Sequence, residues 1–201
     1  MACLWAKGSR GKFEARAREL AAQTDGGFDE FVDTMLTVRS SMLEGYKALH
    51  AILIRVVRAD PICRRFMSVP GVGPITALSY KAGVDDPLRF TRPRTIGAHF
   101  GLAPRRWQSW TIDREGGITK QGDKEVRTAL CEAASSLLLR VRQWSSLKAL
   151  GLQIAKRTCM MNAIVAVARK LASILHRIWL DGSKFHVGCG ACVKRSLIGA
   201  N

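Results

Sequence analysis

Ser109 stands in Trp107-Gln108-Ser109-Trp110, with Arg105 and Arg106 before it and Arg114, Lys120, Lys124 and Arg127 after it. A serine hydroxyl among cations is equipped to attack a phosphodiester. The cations would stabilise the charge that develops on the phosphoryl oxygens, usually the main source of rate acceleration in such catalysis. The same residue type in a basic segment more often only forms a hydrogen bond, so the serine by itself decides nothing. The second chemical feature is Ser68-Val69-Pro70-Gly71-Val72-Gly73-Pro74. Glycine lets backbone turn tightly and approach a ligand closely. A Gly-Val-Gly turn that opens a helix leaves N–H groups pointing outward, where a phosphate can bind. Gly71 and Gly73 are therefore candidate contacts to a nucleic-acid backbone in a helix-hairpin-helix, and an ordinary Pro-Gly turn is the plain alternative.

The segment from Arg89 to Arg127 adds Arg89, Arg92 and Arg94, and interleaves Phe90, Phe100, Trp107 and Trp110. Arginine forks match phosphate geometry and aromatic faces stack on unpaired bases. The whole chain points the same way, with 32 Lys and Arg against 16 Asp and Glu and a net charge of +16 over 201 residues. That surplus suits a polyanion, nucleic acid first and an anionic membrane surface second. The longest uncharged apolar run, about Thr158 to Ala168, falls short of the ~20 residues a spanning helix needs. Met1 to Arg18 lacks the apolar core of a signal peptide, so a cytoplasmic protein without membrane contact is expected.

Cys3, Cys63, Cys131 and Cys159 are scattered singly and read as reduced packing residues. Cys189-Gly190-Ala191-Cys192 has only His186 nearby as a third ligand, short of the four that a structural zinc site requires. No metal is assigned to this chain.

The elements that position these residues read as mainly α. Residues 1–27 are a basic, alanine-rich segment with a short helix over Phe13 to Gln23. From Phe28 to residue 60 a heptad seam runs through Phe28, Met35, Met42, Leu49 and Val56, with Phe31, Val38, Gly45, Ile52 and Ala59 three places on. Such a repeat predicts a coiled coil or a long paired helix, hence a homo-oligomer, and a single amphipathic helix on its own core is the alternative. Pro61 stops it. Residues 61–184 form the main domain: a short helix over Ile62 to Ser68, the glycine turn, and a helix from Pro74 to Ala82. A long basic loop from Asp85 to Gly122 follows, broken only by Thr95 to Phe100. Helices are expected over Asp123 to Arg142 and over Ala155 to Leu180, ended by Asp181-Gly182. Residues 185–201 read as a tail.

Taken in order, Pro70-Gly71-Val72-Gly73, Phe90, Gly101-Leu102-Ala103-Pro104-Arg105, Gln108-Ser109, Gly117-Ile118-Thr119-Lys120, Gly122-Asp123 and Arg127 resemble the C-terminal domain of the IS-one-ten insertion-sequence transposases. Trp179-Leu180-Asp181-Gly182 resembles that domain's closing helix, and the heptad helix resembles the family's coiled-coil connector. The resemblance spans roughly Cys63 to Lys184.

It implies DNA transposition through a composite site. An acidic RNase H-like domain holds Mg²⁺, and a serine of the C-terminal domain, here Ser109, attacks DNA to give a phosphoserine link. Many members use a structured guide RNA. Two departures stand out. Trp110 occupies the place of a glycine and crowds the attacking hydroxyl, and nothing before Phe28 supplies an acidic domain. The expectation is a truncated transposase, inactive alone and binding no cofactor itself. A non-catalytic helix-hairpin-helix DNA-binding module that dimerises through its coiled coil is the alternative.

Overall fold

The computed structural model describes residues 12–23, 27–109 and 112–185, with backbone alone for 107–109 and 112–115. His186, Cys189 and Cys192, and most of the tail, lie outside the described residues, as does Trp110. The described residues form eight α-helices and one two-stranded sheet, a mainly α fold. They separate into two compact units, residues 1–52 and 53–201, with the division inside the second helix.

In the first unit, α1 (Phe13–Ala22) lies on α2 (Phe28–Ala59). Ala17, Ala21 and Leu36 are buried there. Glu14 accepts from Arg39 at 2.6 Å, Asp33 accepts from Arg18 at 2.8 Å, and the Arg39 guanidinium sits 5.0 Å from the centre of the Phe13 ring. The face of α2 used in this way is that of Leu36 and Arg39, not the heptad seam. Phe28, Phe31, Met35, Val38, Met42, Leu49, Ile52 and Val56 are each at least half exposed, Met42 to 71%.

In the second unit, helix boundaries follow local chemistry. Asp60 caps α3 (Pro61–Phe66) by accepting from the Ile62 N–H at 2.8 Å. Pro74 opens α4 (Pro74–Val84) and Pro93 opens α5 (Pro93–His99), where a missing N–H costs nothing. Asp123 caps α6 (Lys124–Leu139) through the Glu125 and Val126 N–H groups. Ser145 caps α7 (Ser146–Arg157) through Lys148. The expected helix from Ala155 is interrupted. Thr158 and Cys159 leave the helical conformation, with the Thr158 hydroxyl donating back to the Ile154 carbonyl. A separate α8 (Met160–Asp181) then ends where Asp181-Gly182 predicts.

Helix α8 is the axis of this unit and packs against α3, α5, α6 and α7. Its small and branched residues Ala163, Val167, Ala168, Leu171, Ala172 and Leu175 are all fully buried. Next to it lies an aromatic cluster. Phe66 meets Tyr80 and Trp179 edge-on at 5.4 and 5.6 Å, and Phe100 follows Tyr80 at 5.9 Å. The Tyr80 hydroxyl donates to the Ala172 carbonyl at 2.7 Å, and burial pushes its phenol well above the usual range. Nearby, buried His176 places Nε2 2.9 Å from the Pro87 carbonyl, so Nε2 is the protonated nitrogen.

The main correction concerns the long basic loop. Pro87–Arg89 is a 3₁₀ turn, α5 follows, and residues 104–118 form an antiparallel hairpin of β1 (Pro104–Ser109) and β2 (Ile112–Ile118). Pairing runs Ser109↔Ile112, Gln108↔Asp113, Trp107↔Arg114 and Arg106↔Glu115, then slips so that Pro104 meets Ile118. The slip leaves Gly116 and Gly117 opposite Arg105 alone, a bulge. These strands are rich in charged residues, and Arg105 and Arg106 are exposed. Neither Pro104–Ser109 nor Ile112–Ile118 alternates apolar and polar residues, so the two-residue period that announces a strand is absent from the sequence.

Candidate nucleic-acid interface

The hairpin is fixed to the domain at its base by a set of short backbone approaches. The Thr119 N–H donates to Ala103 and the Lys120 N–H to Gly101, at 2.9 and 3.1 Å. Gly101 and Gly122 both lie in the left-handed region, at φ +68° and +75°. A Cβ on Gly101 would sit 2.3 Å from the Gln121 oxygen, and one on Gly122 only 1.9 Å from the His99 oxygen. Only glycine lets segments 99–103 and 119–122 come this close. Arg127 reaches up from α6 and donates to both the Phe100 and Gln121 carbonyls, at 3.1 and 3.0 Å. Lys120 is thereby held at φ +57°, a conformation unusual for a residue with a side chain.

Beside this lacing, an open cleft of about 800 Å³ lies between the hairpin base and α8. Leu102, Pro104, Arg105, Gly116, Gly117, Ile118 and Lys120 line one side, and Asn162, Val165, Ala166 and Arg169 the other. Arg105, Lys120, Asn162 and Arg169 are exposed. Among the described side chains none of these three cations takes part in an ion pair. Arg105 donates to the Thr119 carbonyl at 3.3 Å. The cleft is basic at its edges and apolar between them.

The residues singled out from the sequence fall into separate places. Arg105 and Lys120 share the cleft. Ser109 ends β1, four residues beyond Arg105, about 13 Å at the rise of an extended strand. Its side chain lies outside those described. Arg106 pairs through the backbone with Glu115 across the ribbon. Arg92 caps α5, and Arg89, Arg94 and Lys124 are exposed on the 3₁₀ turn, α5 and α6. Arg127 braces the hairpin base. Gly71 has a packing reason to be glycine: at φ +89°, a Cβ there would meet the Ala133 oxygen at 2.6 Å and Leu137 at 2.9 Å, both on α6. Gly73 caps α4 with nothing within 4 Å of its missing side chain.

Asn162 and Arg169 escaped the sequence reading as cleft residues. The available signal was their spacing of seven on α8, with Val165 and Ala166 on the same face.

Residues 63–149, which carry the hairpin and one side of the cleft, match a transposase family's sequence model. The family is the IS116/IS110/IS902 transposases, and the chain belongs to it. The chain is also similar to the transposase for insertion sequence element IS1111A of Coxiella burnetii, 40% identical over 137 residues. That alignment covers 68% of this chain and 37% of the relative. With the transposase for insertion sequence element IS1328 of Yersinia enterocolitica it shares 29% identity over 127 residues, 63% of this chain and 38% of the relative. The chain thus spans little more than a third of the curated relatives it matches. No helix among the described residues is long and apolar enough to cross a membrane.

Proposed function

We propose that this chain acts in DNA transposition as the serine-bearing, strand-gripping part of an insertion-sequence transposase. The observation that carries the reading is the family match over 63–149, a segment that includes both the β1 serine and the hairpin lacing. In this reading Ser109 Oγ gives its proton to a base and forms a bond to a DNA phosphorus. The bond from that phosphorus to a sugar oxygen breaks, and the oxygen leaves as a hydroxyl after taking up a proton. Cations of the cleft hold the strand and offset charge on the phosphoryl oxygens.

Mg²⁺ prefers carboxylate oxygens. Among the described residues no three His, Cys, Asp or Glu side chains come together to hold a metal. In this reading the acidic half of a composite site belongs to other sequence. Gly73, open to its surroundings at the head of α4, is the place where a helix-hairpin-helix would meet a DNA phosphate. Guide RNA is a further partner in this reading, and the exposed seam of α2 pairs with a second copy of the chain.

The test supplies a matching acidic domain in trans with guide RNA and donor DNA, and looks for a covalent protein–DNA adduct. The adduct is expected with the unmutated chain and lost in Ser109→Ala, and the chain alone should form none. An adduct that persists in Ser109→Ala refutes the assignment. Thr119, the next candidate nucleophile, has its Oγ1 buried and without a hydrogen-bond partner among the described residues. DNA binding with no adduct from the unmutated chain would make it a binding module, the reading opposed to this one.

A further inference from the structure

We infer that the cleft between the hairpin base and α8 is a seat for the sugar-phosphate backbone of one nucleic-acid strand, and that Asn162 and Arg169 form its far wall. The inference rests on the proposed function and adds a site to it. Both residues lie beyond the segment that matches the transposase family.

Three features of the cleft select this ligand. Its cations come from three separate points, Arg105 on β1, Lys120 after β2 and Arg169 on α8, so charge faces the cleft from both sides. Between them lie Leu102, Pro104, Ile118, Val165 and Ala166, an apolar floor. Sugar faces suit such a floor, and phosphate oxygens suit arginine forks and the lysine. At the bulge, Gly117 has nothing within 4 Å of its missing side chain, so a strand can come close to the β2 backbone there.

The wall on α8 is built rather than incidental. Gly97, buried in α5, leaves room for the Arg169 stem, since a Cβ at position 97 would lie 2.8 Å from Arg169 Cγ. Asn162, seven residues earlier on α8, offers both a donor and an acceptor to the same cleft. Ser109 lies about 13 Å along β1 from Arg105, roughly four nucleotide steps at the duplex rise. A strand seated in the cleft and running along β1 reaches the serine within that distance.

The experiment measures binding of the full chain to a fluorescent mixed-sequence DNA duplex and, in parallel, to an RNA hairpin, across a salt series. Loss of one phosphate contact lowers the slope of log affinity against log salt by about 0.9, and weakens binding about eightfold at 0.1 M salt. Arg169→Gln should show this loss for DNA, for RNA or for both. Arg169→Lys should keep the slope, because it keeps the charge. Asn162→Ala should weaken binding without changing the slope. Gly97→Ala should weaken binding through displacement of an intact Arg169, with helicity by circular dichroism retained. If Arg169→Gln binds both probes with the unmutated slope while Arg92→Gln lowers it, the chain grips nucleic acid elsewhere and the cleft assignment falls alone. If the unmutated chain binds neither probe, the cleft assignment falls together with the proposed function.

Discussion

Replacing Gly122 with alanine tests the lacing that holds the hairpin base. The new Cβ would start 1.9 Å from the His99 oxygen, where real Cβ atoms stay beyond 3.0 Å. The carbonyl must retreat by about 1 Å, and overpacking of this kind costs about 1–3 kcal/mol. Holding alanine at φ +75° adds roughly 1–2 kcal/mol. The smaller entropy of the unfolded alanine chain returns about 0.4–1 kcal/mol. The net loss is roughly 1.5–4 kcal/mol, or a fall in Tm of roughly 3–16 °C for a unit of this size. Thermal unfolding followed by circular dichroism reads it directly. Gly117→Ala is the control, since that glycine has open space and no positive φ. It should move Tm by no more than about 2 °C, as expected where alanine fits without strain. Equal midpoints for the two variants would refute the claim that close backbone approach, rather than turn composition, requires Gly122.

Asp60 and Lys81 form an ion pair whose side chains are largely buried. Burial pushes the Asp60 carboxyl up, but hydrogen bonds from Lys81, Ile62 and Cys63 and the charge on Lys81 outweigh it and leave the carboxyl below 3.8. A lowered folded pKa gives stability that is full above the unfolded pKa and lost as pH falls through the folded one. Asp60→Asn keeps an acceptor for the α3 cap, so it should cost about 1 kcal/mol at neutral pH. That gap should close below pH 3.8, and a gap in denaturation midpoints that stays constant down to acid would refute the ion-pair account. On α2, Met42→Lys places a cation in the middle of the seam. Sedimentation is expected to report a dimer for the unmutated chain and a monomer for the variant, with helicity unchanged because Met42 is 71% exposed in the single chain. An unmutated chain that sediments as a monomer would remove the seam's role.

Most helices were legible because their signals are local, while α7, capped by Ser145, was not expected between residues 142 and 155. Asp60-Pro61, Pro74, Pro93 and Asp123 mark starts by capping chemistry, and Asp181-Gly182 marks an end. The break at Thr158-Cys159 was not, because an apolar period continues across it while a hydroxyl-to-carbonyl bond decides the backbone. The hairpin was invisible for a different reason: neither strand alternates apolar and polar residues along its sequence. Among the glycines of the ordered motifs, Gly71 and Gly73 were read as contacts to a phosphate. At positions 71, 101 and 122 the glycine has neighbours that leave no room for a Cβ. Arg127, read as a phosphate contact, also has a structural task, donating through Nη1 to two backbone carbonyls. The far wall of the cleft comes from a helix about 60 residues away in sequence, a proximity that only tertiary packing creates.

Lys120 shows how the fold and the site pull against each other at one residue. Its left-handed backbone is a conformation in which glycine costs least, and a side chain there is disfavoured by roughly 1 kcal/mol. The lacing of Gly101, Gly122 and Arg127 supplies the tension that keeps a charged residue in that conformation. Optimising this chain for thermal endurance would favour glycine at position 120 and strip a cation from the cleft. A more durable protein obtained by that route would hold the same shape with a weaker grip.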